Sequence, residues 1–268
     1  MIQLDGKTLR QIQLIQLEML IEVDRICEKC NIKYNIFGGT LLGAIRHGGY
    51  IPWDDDADVA FLRSEYEKFR DVCKTELDTT RFYFQDQRRT KGYRWGYGKI
   101  RRKNTLFLRE YQEHMQFSQG VFIDIFPIDG VPDNYFLRFF HNIYCTCIRK
   151  TLWSEVGRVA DPNYIMRWGY SILAHIPIEI VIDAYHKLIK CSNKKRTKFV
   201  RILMFPTPNS VYGFPRKWYE ESKKIEFENY LFTCIKEADQ YLKFTYGDYM
   251  VMPHPNQRKT HPVSKIKL

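Results

Sequence analysis

The sequence contains no stretch of about 18 apolar residues, the length that predicts a membrane-spanning helix. Its opening, MIQLDGKTLRQIQLIQLEML, lacks a basic segment followed by an uninterrupted apolar run, so it does not resemble a signal peptide. Internal repeats and low-complexity tracts are also missing, which excludes a solenoid. We therefore expect a cytoplasmic protein, with peripheral contact at the inner membrane face left open.

The sequence also lacks a second cysteine pair at zinc-ligand spacing. Cys27 and Cys30 form a C-x-x-C motif inside a helical pattern, and the other five cysteines are scattered. An odd number of thiols without an export signal predicts reduced cysteines. We assign no metal to them.

The composition is that of a folded protein with an anionic partner. Of 268 residues, 44% are hydrophobic and 15% aromatic, which is enough to build a core. The formal net charge is +11, so nucleotides, phosphorylated glycans, nucleic acids or acidic membranes are candidate partners. The basic residues concentrate at 91–109 and 190–201.

Hydrophobic periodicity predicts helices and strands in an α+β order rather than regular βαβ units. A helix is predicted over 8–31, and Ser64 with Glu67 forms a capping-box pattern that would open a helix through about residue 77. Strands are predicted at 32–37, 57–61, 81–87 and 93–102. The segment 120–132 is predicted to begin with another strand, which Pro127 would end.

The character changes from residue 135 to about 190, where aromatic-rich apolar helices predominate. We favour a helical lobe packed on the core over an interfacial membrane surface. A hairpin at 223–232, a last helix stopped by Gly247 and an irregular Pro-rich tail are predicted to follow.

The most informative stretch is IFGGTLLGAIRHGGYIPWDDDADVAF, residues 36–61. It places Asp54, Asp55 and Asp56 just before a predicted strand and Asp58 within that strand. Because side chains two apart in a strand share a face, the carboxylates of Asp56 and Asp58 would point together. Such a pair suits Mg²⁺, which binds through one or two carboxylates plus substrate phosphates.

A third carboxylate is expected from a neighbouring strand. Asp124 lies in the middle of an apolar strand, where an unpaired charge would be costly to bury, so we place it at the metal site. The alternative is that Asp124 pairs with an Arg or caps a turn. Asp129, in IDGVP, is interpreted as turn chemistry.

Gly38, Gly39 and Thr40 are predicted to bind phosphate. They stand between a predicted strand and a predicted helix, where glycines allow close backbone approach and the helix N-terminus offers free N–H groups. Followed by D-x-D on a strand, this loop predicts a site where glycines hold phosphates and aspartates hold a bridging metal.

The combination of strand, G-G, helix, D-x-D and a later carboxylate resembles the nucleotidyltransferase fold. More narrowly, HGGYIPWDDDADV, VFIDIFPIDGVP and YLKFTYGDYMVMPHPNQRKTHP resemble the LicD family of phosphocholine and fukutin-type polyol-phosphate transferases. The resemblance runs from about residue 8 to residue 262. It implies a nucleotidyltransferase-like core with a mixed β-sheet flanked by helices and an inserted helical lobe. The implied divisions are a catalytic core at 1–134, a lobe at 135–218 and a returning C-terminal part at 219–268.

The resemblance also implies an activity, a donor and site residues. A CDP-alcohol such as CDP-choline would donate phosphocholine or a polyol phosphate to a glycan or lipid-linked glycan, releasing CMP, with Mg²⁺ or Mn²⁺ as cofactor. Metal ligands would be Asp56, Asp58 and Asp124, and donor-binding residues Gly38, Gly39 and Thr40. Asp54 and His47 would lie beside the metal ligands without binding the metal themselves. Five further residues lie in segments typical of the family but have no individual role assigned: Trp53, Tyr246, Asp248, Arg258 and His261.

Two further groups have alternative interpretations. In one interpretation, Lys99 and Arg101 hold phosphate oxygens or stabilise the leaving CMP. In the other, they are exposed charges on a strand. Aromatic residues at 93, 95 and 97 could cage a choline ammonium. Competing functions are an ordinary nucleotidyltransferase that releases pyrophosphate, a polymerase, and a non-enzymatic membrane-bound protein. The absence of a recognisable RNA-binding module argues against nucleic acid as partner.

Overall fold

The computed structural model describes residues 4–207, 210–258 and 260–268. The helices of this part are α1 (Gly6–Cys30), α2 (Gly38–His47), α3 (Arg63–Val72), α4 (Tyr135–Ala160), α5 (Tyr164–Leu173), α6 (Ile178–Ser192) and α7 (Ala238–Tyr246). Its strands are β1 (Asn35–Ile36), β2 (Asp58–Leu62), β3 (Phe82–Gln85), β4 (Gly98–Arg102), β5 (Leu106–Arg109), β6 (Phe122–Val131), β7 (Phe199–Arg201), β8 (Phe214–Pro215), β9 (Ser222–Phe227), β10 (Tyr230–Ile235) and β11 (Val263–Lys267).

The core is built on a mixed sheet with the order β1-β2-β6-β4-β3, extended from β6 by β7 and β8. β2 runs parallel to β6, whereas the other neighbouring pairs are antiparallel. All ten residues of β6 are buried, because strands cover its edges and α1 and α3 pack against it. This mixed α and β arrangement agrees with the α+β prediction.

Strand register brings the chemistry-bearing residues together. In the parallel pair, Asp58 of β2 lies opposite Asp124 of β6. In the antiparallel pair on the other edge of β6, Lys99 of β4 lies opposite the same Asp124. Residues opposite each other on neighbouring strands project to one face of the sheet. Two carboxylates and an ammonium group therefore meet at one point of the core.

The long N-terminal helix was predicted correctly. The Asp5 carboxylate caps α1 by accepting a 2.7 Å hydrogen bond from the Thr8 N–H, and Asn31 ends the helix with a left-handed φ of 52°. The buried stripe of α1, including Ile12, Met19 and Val23, joins the main core.

Two strand predictions need correction. β6 continues through Pro127, which was expected to end it, because Pro127 lies between the stretch that pairs with β4 and the stretch that pairs with β7. The missing N–H thus coincides with a gap in one hydrogen-bonding ladder. β4 begins at Gly98 rather than at residue 93. Asp129 lies inside β6, and its interpretation as turn chemistry was wrong.

The capping-box prediction was also wrong. α3 begins at Arg63, so Ser64 lies inside the helix, and no side chain caps the N-terminus at Leu62. Glu67 accepts hydrogen bonds from Arg63 and Arg88 instead of reaching back to the backbone. The helix ends at Val72, five residues earlier than expected.

The C-terminal part contains one strand that we did not predict. The hairpin of β9 and β10 and the stop of α7 at Gly247 agree with the sequence analysis, and Gly247 adopts a φ of 70°. However, β11 pairs with β5, so the tail is not irregular throughout. Pro253, Pro255 and Pro262 concealed this strand because they precede it closely.

Helices α4, α5 and α6, which we call the helical lobe, pack around an apolar cluster that includes Cys145, Ile148, Leu152 and Tyr185, together with Val131 of β6. α5 packs back on α4, where a Cβ at Gly157 would lie 2.6 Å from the Tyr170 ring. Within the described ranges, no single helix is long and apolar enough to cross a membrane. Taken together, α5 and α6 have the length and apolar composition of a membrane span, but the angle between them is 89°.

Candidate active site

A cavity of about 690 Å³ opens between the sheet and the helical lobe. Its acidic wall contains Asp56, Asp58 and Asp124, and its basic residues include Lys99, Arg101 and Arg109. The lobe contributes Arg149, Lys150 and Trp153 on α4 and Tyr170 on α5. The cavity thus joins the acidic motif to helices that the sequence analysis interpreted as a lobe packed on the core, with an acceptor or membrane-facing surface as the alternative.

The structure brings the three predicted metal-binding carboxylates together. Carboxylate oxygens of Asp56, Asp58 and Asp124 lie within 4.8 Å of one another. The backbone helps to hold them, because the Asp58 N–H donates to Thr40 Oγ1 at 2.8 Å and the Asp124 N–H donates to the Ala57 carbonyl at 2.8 Å. This donor set could hold a hard divalent cation, which prefers carboxylate oxygens.

The cluster is electrostatically unfavourable by itself. Burial raises the pKa of Asp58 well above its usual range, and the neighbouring carboxylates Asp56 and Asp124 raise it further, while Lys99 opposes them. Burial also raises the pKa of Asp56, an effect that His261 and Arg109 oppose. A cation among these oxygens would remove the repulsion. Their electrostatics therefore fit a metal as well as their chemistry does.

Asp54 extends the acidic group away from the strand. Burial, followed by repulsion from Asp56, raises the pKa of the Asp54 carboxyl to about 8. The side-chain amide of Gln13 on α1 donates to the Asp54 carbonyl at 2.9 Å, and that of Gln16 donates to the Asp55 carbonyl at 2.7 Å. Sequence analysis missed these two glutamines, which interrupt the apolar stripe of α1 and are buried.

Lys99 and Arg101 are not exposed strand charges, because each retains only 3% of its accessible surface. Lys99 forms an ion pair with Asp124, and burial lowers the pKa of the lysine to about 7 although Asp124 opposes the shift. Asp124 is thus paired with a lysine rather than the arginine considered above. Arg101 donates to Gln85 Oε1 at 2.5 Å and to the Gly120 carbonyl at 2.7 Å, so part of its guanidinium is occupied within the fold.

The paired glycines lie against carboxylates. A Cβ at Gly38 would be 2.9 Å from Asp58 Oδ2, and one at Gly39 would be 2.7 Å from Asp54 Oδ2. Both residues belong to the first turn of α2 rather than to a strand end, and Gly38 has a φ of 54°. Gly38 lines the cavity. The absence of side chains therefore creates the room in which the acidic groups stand.

The tail closes over the acidic loop. His261 donates its backbone N–H to Asp55 Oδ2 at 2.9 Å, and its Nδ1 lies 2.8 Å from Asp55 Oδ1. The same Nδ1 lies 3.7 Å from Asp56 Oδ2. Asp55, Asp56 and His261 form a second group with metal-ligand proximity. His261, which had no assignment, is brought to the site, whereas Asp55 is occupied as its anchor.

Other expected residues lie away from the cavity or beside it. His47, at the end of α2, packs edge-on against Trp53 with ring centroids 6.2 Å apart, and it does not line the cavity. The Arg258 guanidinium lies 4.6 Å above the Trp53 ring, so these residues form a separate surface group. Tyr246 lines the cavity, whereas Asp248 does not.

Arg109 is a site residue that sequence analysis did not identify. It lines the cavity, lies 5.1 Å from the Phe122 ring centroid, and in the described part of the chain its buried Nε has no hydrogen-bond partner. A buried donor without a partner is costly unless a ligand supplies an acceptor. The only signal was the basic run 91–109, whose final residue is Arg109.

The suggested aromatic cage is formed only in part. Trp95 and Tyr97 line the cavity, whereas Tyr93 is buried elsewhere. Trp95 packs against Trp153 of the lobe with centroids 5.5 Å apart. One aromatic wall therefore comes from the core and one from α4.

Comparisons with known proteins agree with the resemblance seen in the motifs. Residues 31–142 match the family described as LicD/FKTN/FKRP, nucleotidyltransferase domain. The chain is 27% identical to the lipopolysaccharide cholinephosphotransferase LicD of Haemophilus influenzae, over 96% of this chain and 97% of that protein. It is also 26% identical to an uncharacterized protein of Rickettsia prowazekii, over 68% of this chain and 64% of that protein.

Proposed function

Because this chain carries a LicD family domain, we propose that it transfers phosphocholine from CDP-choline to a sugar hydroxyl and releases CMP. The acceptor would be a cell-surface glycan precursor of the teichoic acid, capsule or lipopolysaccharide type. The observation that carries the proposal is the meeting of three carboxylates with Lys99 and Arg109 in one cavity. Acidic groups for a metal and basic groups for phosphates are what a nucleotide-linked donor requires.

The proposed architecture is a nucleotidyltransferase-like core at 1–134, a lobe at 135–218 and a returning segment at 219–268. The first division is supported by the sheet around β6 and the last by the pairing of β11 with β5. The lobe is supported by its separate apolar cluster.

We assign a divalent cation, Mg²⁺ or Mn²⁺, to Asp56, Asp58 and Asp124. These residues fit the group because their oxygens are close together, and because burial and mutual repulsion raise the pKa of Asp58 although Lys99 opposes them. When bound, the cation supplies neutralisation of the charge on the donor diphosphate.

The residues around the cluster have separate roles. The acceptor oxygen forms a bond to the phosphorus that bears choline, the bond from that phosphorus to the bridging oxygen breaks, and CMP leaves with the electron pair. Asp124 serves either as a ligand of the cation or as the base that accepts the proton of the acceptor hydroxyl, and its ion pair with Lys99 orients the carboxylate. Arg109 has the free buried donor for a phosphate oxygen, together with Lys99 and Arg101. Gly38, Gly39 and Thr40 shape the donor loop.

The choline group would contact aromatic rings. A quaternary ammonium is attracted to the faces of Trp and Tyr, and Trp95 and Tyr97 line the cavity that also contains the carboxylates. A CDP-polyol donor, carrying ribitol or glycerol phosphate, is the second candidate because it would use the same metal and phosphate groups. An ordinary nucleotidyltransferase would release pyrophosphate instead. We include no nucleic acid among the partners.

Calorimetric binding of CDP-choline, CDP-glycerol, CDP-ribitol and CTP in the presence of Mg²⁺ tests the proposal. We expect CDP-choline to bind most tightly, and Asp58→Asn, which keeps the side-chain size, to weaken binding roughly 100-fold by removing one metal-binding charge. Asp71→Asn, on an exposed residue of α3, is the matched control and should bind like the wild type.

The released product decides between the candidates. CMP from CDP-choline, lost in Asp58→Asn and retained in Asp71→Asn, would support phosphocholine transfer. Preference for CDP-ribitol or CDP-glycerol would move the assignment to polyol phosphate. Binding of CTP alone, with pyrophosphate as product, would replace both with nucleotidyl transfer.

A further inference from the structure

The helical lobe has two exposed apolar stripes, one on α4 and one on α5, that the described part of the chain does not cover. The α4 stripe includes Phe136, Phe140 and Ile143, and the α5 stripe includes Ile165, Trp168 and Ile172, all of them exposed. We call these six residues the lobe face. Of the 26 large hydrophobic side chains that are exposed in the described part of the chain, 15 lie between residues 135 and 180. Exposed apolar groups at this density are typical of interaction surfaces.

The spacing shows that the lobe face is separate from the packing of the lobe. Phe136, Phe140 and Ile143 follow one another at four and three residues, so they lie on one side of α4. The buried side of the same helix carries Cys145, Ile148 and the residues that follow at helical spacing. α4 therefore has two apolar sides, one used in the core and one open.

The charge of the lobe identifies the occupant. Residues 135–198 contain eleven Lys and Arg against four Asp and Glu, so they carry seven of the chain's formal +11. The Arg167 guanidinium lies 5.9 Å from the ring of Tyr164, which places a cation among the exposed aromatics of α5. Apolar and aromatic side chains with interspersed cations match an anionic lipid surface. The apolar side chains would contact the acyl chains, and the cations would contact the anionic headgroups.

We propose that the lobe face docks on an anionic membrane surface, with α4 and α5 lying in the interfacial plane. A second copy of the chain is a poorer occupant, because residues 135–198 of the two copies, each of net charge +7, would repel. The cavity reaches the same lobe through Lys150, Trp153 and Tyr170. Docking would thus bring the cavity to a lipid-linked acceptor, a consequence that rests on the proposed function.

Flotation of the full chain with vesicles measures docking without donor or acceptor. We compare phosphatidylcholine vesicles with vesicles that contain about 30% phosphatidylglycerol. The double variant Ile165→Asp, Trp168→Asp removes two groups that are 73% and 64% exposed. Its matched control is Leu231→Asp, Val251→Asp, at residues outside the lobe that are 63% and 64% exposed. Thermal unfolding confirms that each variant is folded.

We expect the wild type and the control to bind the anionic vesicles, and the lobe variant to bind at least roughly tenfold more weakly. Binding should decrease at high salt and on pure phosphatidylcholine. Three results would overturn the proposal: wild type that does not float, equal loss in the lobe variant and its control, or a wild-type dimer in light scattering that the lobe variant alone dissociates. Because no nucleotide is present, each result is independent of CMP release.

Discussion

Gly38 and Gly48 have similar backbone conformations but very different surroundings. Their φ angles are 54° and 69°, so alanine is strained at both positions. A Cβ at Gly48 would meet no atom of the described residues within 4 Å, whereas one at Gly38 would be 2.9 Å from Asp58 Oδ2. The pair therefore separates backbone strain from displacement of a site carboxylate.

We predict that Gly38→Ala and Gly48→Ala each lower the free energy of unfolding by about 1 kcal/mol. Only Gly38→Ala should also weaken CDP-choline binding with Mg²⁺, by roughly tenfold or more, since it moves the Asp58 carboxylate. Urea unfolding and calorimetry measure the two effects. Equal affinities in the two variants would show that the space beside Gly38 does not matter.

Sequence reasoning located the acidic residues of the candidate site because their chemistry conflicts with their surroundings. Asp124 was identifiable as a charge within an apolar strand, and Asp58 as part of D-x-D. The burial of Lys99 was not identifiable, because a lysine in a basic run has the pattern of an exposed strand. It becomes buried only through pairing opposite Asp124, which depends on strand order.

At the scale of elements, one buried ion pair ties α3 to the central strand. The Arg63 guanidinium donates from Nε to Asp129 Oδ1 at 2.6 Å and from a terminal nitrogen to Oδ2 at 2.7 Å. Asn193, which follows α6, donates to the same Oδ1 at 2.6 Å. Asp129 has no accessible surface, so each partner depends on the others for its hydrogen bonds.

We predict that Asp129→Ala lowers the free energy of unfolding by about 3 kcal/mol. In the described part of the chain it leaves the buried Arg63 charge with Glu67 as its remaining ion-pair partner. The exposed pair of Arg196 and Glu220, in which one guanidinium nitrogen donates to both carboxylate oxygens, provides the comparison. Glu220→Ala should lower the free energy of unfolding by less than about 1 kcal/mol. Denaturant titration measures both. Similar losses in the two variants would mean that burial adds nothing to the pair.

Elements with strong local signals were predicted, and elements defined by distant partners were not. α1 and the β9–β10 hairpin follow from periodicity within their own residues. β11 exists because β5 offers an edge, and β6 passes Pro127 because its neighbours change there. The extra length of β6 and the pairing of β11 are determined by the neighbouring strands rather than by the residues of each segment.

At the scale of the whole molecule, acid stability should depend on a histidine in the lobe. His141 Nε2 lies 2.9 Å from Ser192 Oγ, and burial lowers the pKa of this histidine from 6.5 to about 4, with Arg201 lowering it further and Asp129 opposing. Between these pH values His141 is therefore protonated in the unfolded chain and neutral in the folded chain. The contribution of this histidine to stability is fully present above about pH 6.5 and is lost as the pH falls towards 4.

We predict that this histidine accounts for about 2 kcal/mol of the stability lost between about pH 7.5 and about pH 5. His141→Asn should reduce the pH dependence of urea unfolding by that amount, whatever its effect on stability at neutral pH. His254→Asn, at an exposed position, should leave the pH dependence unchanged. Parallel pH profiles for His141→Asn and the wild type would contradict the prediction.

The link between Asp55 and His261 joins residues that are 206 positions apart. A ribosome that adds about 5–20 residues per second needs roughly 10–40 s to make the second partner after the first. During that interval the central sheet can assemble, since β6 is complete at residue 131. The acidic loop, however, cannot form its contact with His261 until the end of synthesis. The order of synthesis thus separates the assembly of the central sheet from the completion of the site. A nascent chain contains the mutually repelling aspartates before it contains His261, which binds Asp55.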